Sequence, residues 1–428
     1  MSRLLIRGGH VVDPANQIDR IADIYVADGK VVAVGTTLGD FTPDHLIDAT
    51  GKIVIPGLVD LAARLRQPGE EHKGTIASET AAAAAAGITT LCCPPDTNPP
   101  IDSPAEIELI NRLNKAAGHA RVFALGALTT GLKGTQLAEM AALKQAGCVG
   151  VSNALKPLAS TLVLRRAMEY AASHDLTVFI HPIDHALSNK GCAHEGAVAS
   201  RLGLPAIPEA AETAALGQIL ALVEQTGGRV HFCRLSTARA AAIVGRAQYE
   251  GLRVSADVCA HQLFLTEMDV GDFNSLCHTS PPLRTQRDRA GLRKAVATGV
   301  VAAICSDHQP HEPDAKLAPF CETAPGISAL ETLLPLTLRL VEEGALALPE
   351  AIARLTSGPA AILGIDAGHL GPGARADLCI YDPAEPWQLD IEDLRSAGKN
   401  TPFLGWDFTG RVTHTLLAGR VVYHADAG

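Results

Sequence analysis

Apolar and polar positions change rhythm twice along the chain. The first fifty residues run as short apolar stretches broken by turns: LLIRGGHVVDP, ADIYVADGKVVAVG and HLIDATGKIVIPG. Asp28-Gly29, between two such stretches, is a hairpin signal. The stretch 366–428 behaves alike, in ADLCIYDP and RVTHTLLAGRVVYHADAG. This pattern predicts one small β-sandwich domain made by both ends of the chain, residues 1–55 plus 366–428.

Between these ends, over residues 56–365, β-rich runs alternate with helical segments. The runs are IVIPGLVDLA (53–62), ITTLCC (88–93), RVFALGAL (121–128), CVGVS (148–152), LTVFIHP (176–182), RVHFCRLS (229–236), LRVSADVCA (252–260) and VVAAICSDH (300–308). Eight β/α units favour a closed parallel (β/α)8 TIM barrel over an open sheet. Gly87, Gly147 and Gly251 read as helix stops. The run AAAAAA (81–86) reads as a helix packed closely through small side chains.

Composition narrows the classes. Apolar residues make up 47% of the 428 and charged residues 19%, so the chain is globular. A net charge of −10 argues against a general nucleic-acid binder. No apolar run reaches the roughly 18 residues of a membrane span, and the N-terminus lacks a signal-peptide core. The ten cysteines contain no C-x-x-C pair. Reduced thiols and a cytoplasmic location are therefore expected.

In such a barrel, chemistry belongs at the C-terminal ends of the strands. The polar residues there are Asp60, Arg64 and Arg66 after strand one, Asp96 and Asn98 after strand two, and Ser152 and Asn153 after strand four. Strand five offers His181, strand six His231 and Arg234, and strand seven His261. Strand eight offers Asp307, His308 and His311. A hydrolytic zinc site wants about three protein ligands and an open position. This inventory supplies one good imidazole, His181, and one good carboxylate, Asp307. By strand alternation, Cys233 is expected to face away from the lumen if Arg234 faces in, while Cys305 shares a face with Asp307.

PGLVDLAARLRQPG, PPDTNPPID, HEGAVASRLGLPAIPEAAE, RVHFCRLST, TSPPLRT, CSDHQPH, APGISALE and KNTPFLGWDFTGRVTHTLLAGRVVY, in this order, resemble dihydroorotase of the amidohydrolase superfamily. The resemblance covers nearly the whole chain. It implies six metal-site positions: Ala62 and Arg64 in place of an H-x-H, Asn153 in place of an Asp, His181, Arg234 in place of a His, and Asp307. Four of these six have lost ligand character. The resemblance also implies three substrate positions: Arg66, kept; Asp96, in place of an Asn; and Ser280, in place of an Asn. An Asp at position 96 would repel a substrate carboxylate.

Dihydroorotase-type hydrolysis needs a metal to polarise the amide and supply hydroxide near neutral pH. Guanidinium has no acceptor and stays protonated, so it is no ligand. Arg64 or Arg234 is therefore expected to pair with Asp307, putting fixed positive charge where the family holds zinc. No zinc or other cofactor is expected here. The resemblance extends to inactive dihydroorotase-like chains that assemble with the aspartate carbamoyltransferase catalytic chain in pyrimidine biosynthesis. It implies a noncatalytic assembly subunit, itself a homodimer. The alternative is a metal-dependent cyclic amidohydrolase with an atypical site drawn from His181, Asp307 and a cysteine or another histidine. A metabolite sensor using Arg66 is a third reading.

Overall fold

The computed structural model describes residues 3–35 and 38–425. In it the eight barrel strands are Leu58–Asp60, Ile88–Cys93, Arg121–Ala127, Gly150–Ser152, Val178–Ile180, Val230–Phe232, Val254–Cys259 and Ala303–Cys305. Each pairs in parallel with the next in chain order. The last strand returns to the first beyond their ends, where Ala63 and His308 form a parallel bridge. The Arg64 amide donates to the His308 carbonyl at 2.9 Å, and the His308 amide donates to the Ala62 carbonyl at 3.0 Å. Asp60 completes the seam by accepting the Ser306 amide at 2.8 Å.

The run 53–62 is two strands rather than one. Ile53–Pro56 belongs to the terminal sheet and Leu58–Asp60 to the barrel. Gly57 lies between them, where a Cβ would come within 2.2 Å of the Thr89 hydroxyl. Only glycine allows the two sheets to meet there. The polyalanine run falls in the helix Ile76–Ala85, which Thr75 caps. Its small residues face the barrel and the strand Asp407–Leu417, whose Thr415 donates to the Ala84 carbonyl at 2.7 Å. Gly87, Gly147 and Gly251 all take positive φ after their helices, as predicted.

The terminal strands form one hydrogen-bonded sheet. Its order runs Arg420–His424, Asp407–Leu417, Leu378–Gln388, Ile53–Pro56, Arg3–Asp13, Ile18–Ala27 and Lys30–Val34, with His45–Asp48 also paired to Arg3–Asp13. The sheet curls around an apolar core that includes Leu4, Ile24, Val54, Leu378, Ile380 and Leu416. Its far edges approach each other: the Ala376 amide donates to Gly29, and the Gly419 amide donates to Ala376. Asp28 and Gly29 both have positive φ, as the hairpin signal requires. Residues 1–2, 36–37 and 426–428 of the predicted small domain lie outside the described residues.

The expectation of ten reduced thiols is corrected at two positions. Cys192, in the segment after strand five, is bonded to Cys321, in the segment after strand eight. They are 129 residues apart in sequence, and the fold brings their Cα atoms to 5.4 Å. The other eight cysteines are free. No helix among the described residues is long and apolar enough to cross a membrane.

Candidate functional site

The barrel mouth is organised around Asp307. The chain leaves strand eight and turns there with a φ of 46° before pairing at His308. The carboxylate is buried, and three side chains donate to it. Arg64 Nη1 and Arg234 Nη1 each lie 3.1 Å from Oδ1. Gln309 Nε2 lies 3.0 Å from Oδ2. Arg64 turns its Nε to Asp96 Oδ2 at 2.9 Å. Two guanidiniums and two carboxylates thus form one chain of ion pairs. Burial opposes the charge on Asp307, but Arg234 and Arg64 outweigh it and hold the carboxyl below its ordinary value. Burial likewise opposes the charges on Arg64 and Arg234, and their carboxylate partners outweigh it. The sequence predicts one of the two arginines on Asp307; the fold places both there. Asp96, read from sequence only as a source of repulsion, is the second counter-ion of Arg64.

Arg66 is committed to its own chain. It has a φ of 65°, and its Nε donates to the Pro310 carbonyl at 3.0 Å. Its Nη1 meets Glu70 at 3.0 Å, and its Nη2 meets His311 Nε2 at 3.1 Å. Lys73 reaches the other oxygen of Glu70 at 2.6 Å. Glu70 therefore holds the guanidinium that the resemblance reserves for a substrate carboxylate. Nothing in the sequence singled it out except its i, i+4 spacing from Arg66. The space left between Arg64, Arg66, Glu70 and Asp96 is about 10 Å³, room for about one water.

His181 stands apart from these ion pairs. Its Nδ1 donates to the Cys233 carbonyl at 3.1 Å. Burial, with Arg234 beside it, pushes its pKa down to about 3, so the ring is neutral and Nε2 is left as an acceptor. Asn153 is spent on the loop that follows it: Oδ1 accepts from the Thr129 hydroxyl at 2.7 Å and Nδ2 donates to the Lys156 carbonyl at 3.0 Å. Ser280, half-buried on the loop after strand seven, makes no hydrogen bond to any of these groups. His308 is buried against Glu79 at 2.8 Å, and the amide of His311 donates to Asn400. Both shape the strand-eight loop.

The lumen beneath the mouth corrects one orientation. Cys233 packs against the interior cluster that contains Cys92, Phe179, Cys259 and Cys305, although Arg234 also faces in. Arg234 has a φ of 57°, so the alternation of an extended strand ends at that residue. Cys305 is in the same interior cluster, consistent with the face predicted for it. His261 is also inside, and neither of its ring nitrogens has a hydrogen-bond partner.

A family profile described as "Dihydro-orotase-like" matches residues 51–240. A protein of Pseudomonas putida named "Dihydroorotase-like protein" is 50% identical over 418 residues, covering 98% of each chain. The chain belongs to the dihydroorotase-like family. A "Dihydroorotase" of Syntrophotalea carbinolica is 43% identical over 421 residues, covering 98% of this chain and 99% of that one. Among solved structures, an L-hydantoinase from Arthrobacter aurescens superposes with a TM-score of 0.89 at 25% identity, covering 99% of this chain and 96% of that one.

Within this dihydroorotase-like frame, the six metal-site positions do not fit a zinc ion. Ala62 has no donor atom, and the Asn153 amide is fully engaged. Arg64 and Arg234 direct N–H groups, not lone pairs, at the centre. Asp307 is already bonded to both of them. Only His181 Nε2 remains as an electron-pair donor, and one ligand does not hold a zinc ion.

Proposed function

We propose that this dihydroorotase-like chain is a noncatalytic subunit of pyrimidine biosynthesis, without a catalytic metal, that supports assembly of the aspartate carbamoyltransferase catalytic chain. The observation that carries the reading is the Arg64–Asp307–Arg234 bridge. In a hydrolase of this frame the strand-eight carboxylate would serve as metal ligand and base. Here two fixed cations neutralise it, so it has neither a metal to bind nor an activated water to deprotonate.

Two further features support the reading. The guanidinium of Arg66 is held by Glu70, and that of Arg64 is shared between Asp96 and Asp307, so neither is free for an incoming carboxylate. The cavity at that point is far below the roughly 300 Å³ of a small-molecule site. Arg64, Arg66 and Asp96 are spent on internal ion pairs, whereas the cavity of about 300 Å³ beside Asn153 and His181 lies apart from them; the assembly reading assigns the working part to the outer surface of the barrel.

The test has two arms. Purified protein supplied with zinc is assayed for opening of dihydroorotate and for closure of carbamoyl aspartate; neither is expected. Affinity capture from its own cells is expected to recover the transferase chain, and deletion of this chain is expected to leave the transferase dispersed or unstable. Turnover of a cyclic ureide would replace this reading with that of an atypical metal-dependent amidohydrolase. A transferase that assembles and works fully without this chain would remove the assembly role.

A further inference from the structure

One layer below the mouth, strands six and seven bring three donor atoms together. The ligand atoms of His231, Cys233 and Asp257 all lie within 4.8 Å of one another. His231 Nε2 and Asp257 Oδ2 are 3.0 Å apart. His231 and Asp257 are buried and Cys233 is half-buried. None of the three is among the six mouth positions, so this cluster is distinct from the site that the family resemblance assigns.

The outer atoms of the cluster are already fixed. His231 Nδ1 faces the Ser255 hydroxyl at 2.8 Å. Asp257 Oδ1 accepts the backbone N–H of Arg234 at 2.5 Å. Metal-binding imidazoles and carboxylates characteristically have such partners, which set the tautomer and aim the free donor. A buried His–Asp pair alone would need no thiol beside it. Cys233 faces in on the same side as His231, two residues before it, as strand alternation places it.

We propose that His231 Nε2, Cys233 Sγ and Asp257 Oδ2 form a binding site for a zinc-class divalent cation inside the barrel. Mixed nitrogen, sulfur and oxygen donors suit zinc among the common divalent ions. A thiolate and a carboxylate together neutralise the dication, so the loaded site carries no net charge into an apolar interior. On binding, Cys233 gives up its thiol proton to solvent. The ring proton shared by His231 Nε2 and Asp257 moves to Nδ1, where it is donated to the Ser255 hydroxyl. Asp257 stays ionised, and one proton is released per ion bound. The ion would tie strand six to strand seven directly beneath the Arg64–Asp307–Arg234 bridge. The site supplies three protein donors, and none of them is one of the six mouth positions, so an ion bound here is compatible with a noncatalytic mouth.

The test uses untagged, full-length protein from cells grown with zinc or with cobalt. Elemental analysis is expected to find about one equivalent of metal. The cobalt form is expected to show a thiolate-to-cobalt charge-transfer band. X-ray absorption on the unmodified protein should read one sulfur and at least two nitrogen or oxygen neighbours, which needs no variant. C233S should lose the band and most of the metal, whereas H181Q should keep both. Metal-free protein from both growths would overturn the proposal and leave the noncatalytic reading standing. Metal that survives C233S but is lost in H181Q would place the ion at the mouth, overturning this site and the noncatalytic reading together.

Discussion

Arg234 Nη1 lies 3.1 Å from Asp307 Oδ1, an oxygen that it shares with Arg64. The shared oxygen makes the three residues one unit. Removing the acid leaves two guanidiniums facing each other in a buried site. Asp307→Asn keeps the shape and removes the charge. It is expected to lower stability by about 3–5 kcal/mol, the cost of breaking a buried pair by deleting one partner. Urea unfolding of the variant against the parent measures it; a change within a few tenths of a kcal/mol would mean that the bridge is not formed in solution.

Arg66 makes the opposite kind of prediction, because its partners all belong to the chain. Arg66→Ala removes donors to the Pro310 carbonyl and Glu70 and the contact with His311. Stability should fall by roughly 2 kcal/mol, the scale of hydrogen bonds to a charged group. Limited proteolysis should show faster cutting in the loop that carries Pro310 and His311. If Arg66 were instead an open anion site, the variant would lose ligand binding with little change in either readout.

Acid stability follows from the buried imidazoles. Burial lowers the pKa of His181 and His311 to about 3 and of His261 and His278 to about 4. In the unfolded chain each takes up a proton near pH 6.5, while in the folded protein it stays neutral until about pH 4 or below. The unfolded state thus binds more protons across that window, and stability falls as the pH drops through it. Each such histidine contributes a slope of up to about 1.4 kcal/mol per pH unit. Asp307, whose pKa is lowered by Arg234 and Arg64, adds a further loss as the pH falls through its folded value. His261 has no hydrogen-bond partner at either nitrogen, so His261→Leu should flatten the profile and stabilise the protein more at pH 5 than at pH 8. Denaturant melts at the two pH values decide this, and equal effects at both would contradict it.

Restoring ligands should restore metal at the mouth before it restores chemistry. A variant combining Ala62→His, Arg64→His, Asn153→Asp and Arg234→His is expected to bind one more equivalent of zinc than the parent, measured by elemental analysis after dialysis. It should still fail to open dihydroorotate, because Asp96 and the Glu70-held Arg66 are unchanged. Turnover in this variant would show that the substrate positions had kept their function.

The strands were legible because each is a short apolar run ahead of a helical pattern, and the closed barrel follows from counting them. The pairing of arginine with Asp307 was legible because a buried acid requires a cation, and arginines stand at two of the positions around it. What escaped was set by three-dimensional closure. Both arginines reach one oxygen only once strands one, six and eight meet around a ring. That Arg234 faces in together with Cys233 depends on a positive φ at Arg234, and arginine gives no local sign of that conformation. Glu70 lies four residues from Arg66, yet its capture of that guanidinium depends on how the loop folds over the mouth. The Cys192–Cys321 contact joins segments 129 residues apart, beyond any local pattern.

The position of Ile53–Pro56 has a consequence for synthesis. This strand pairs on one side with Arg3–Asp13 and on the other with Leu378–Gln388. A ribosome delivers the first neighbour early and the second only after every barrel strand has emerged. The nascent chain therefore carries an open edge while the barrel strands emerge, and the seam closes only once Leu378–Gln388 has followed them.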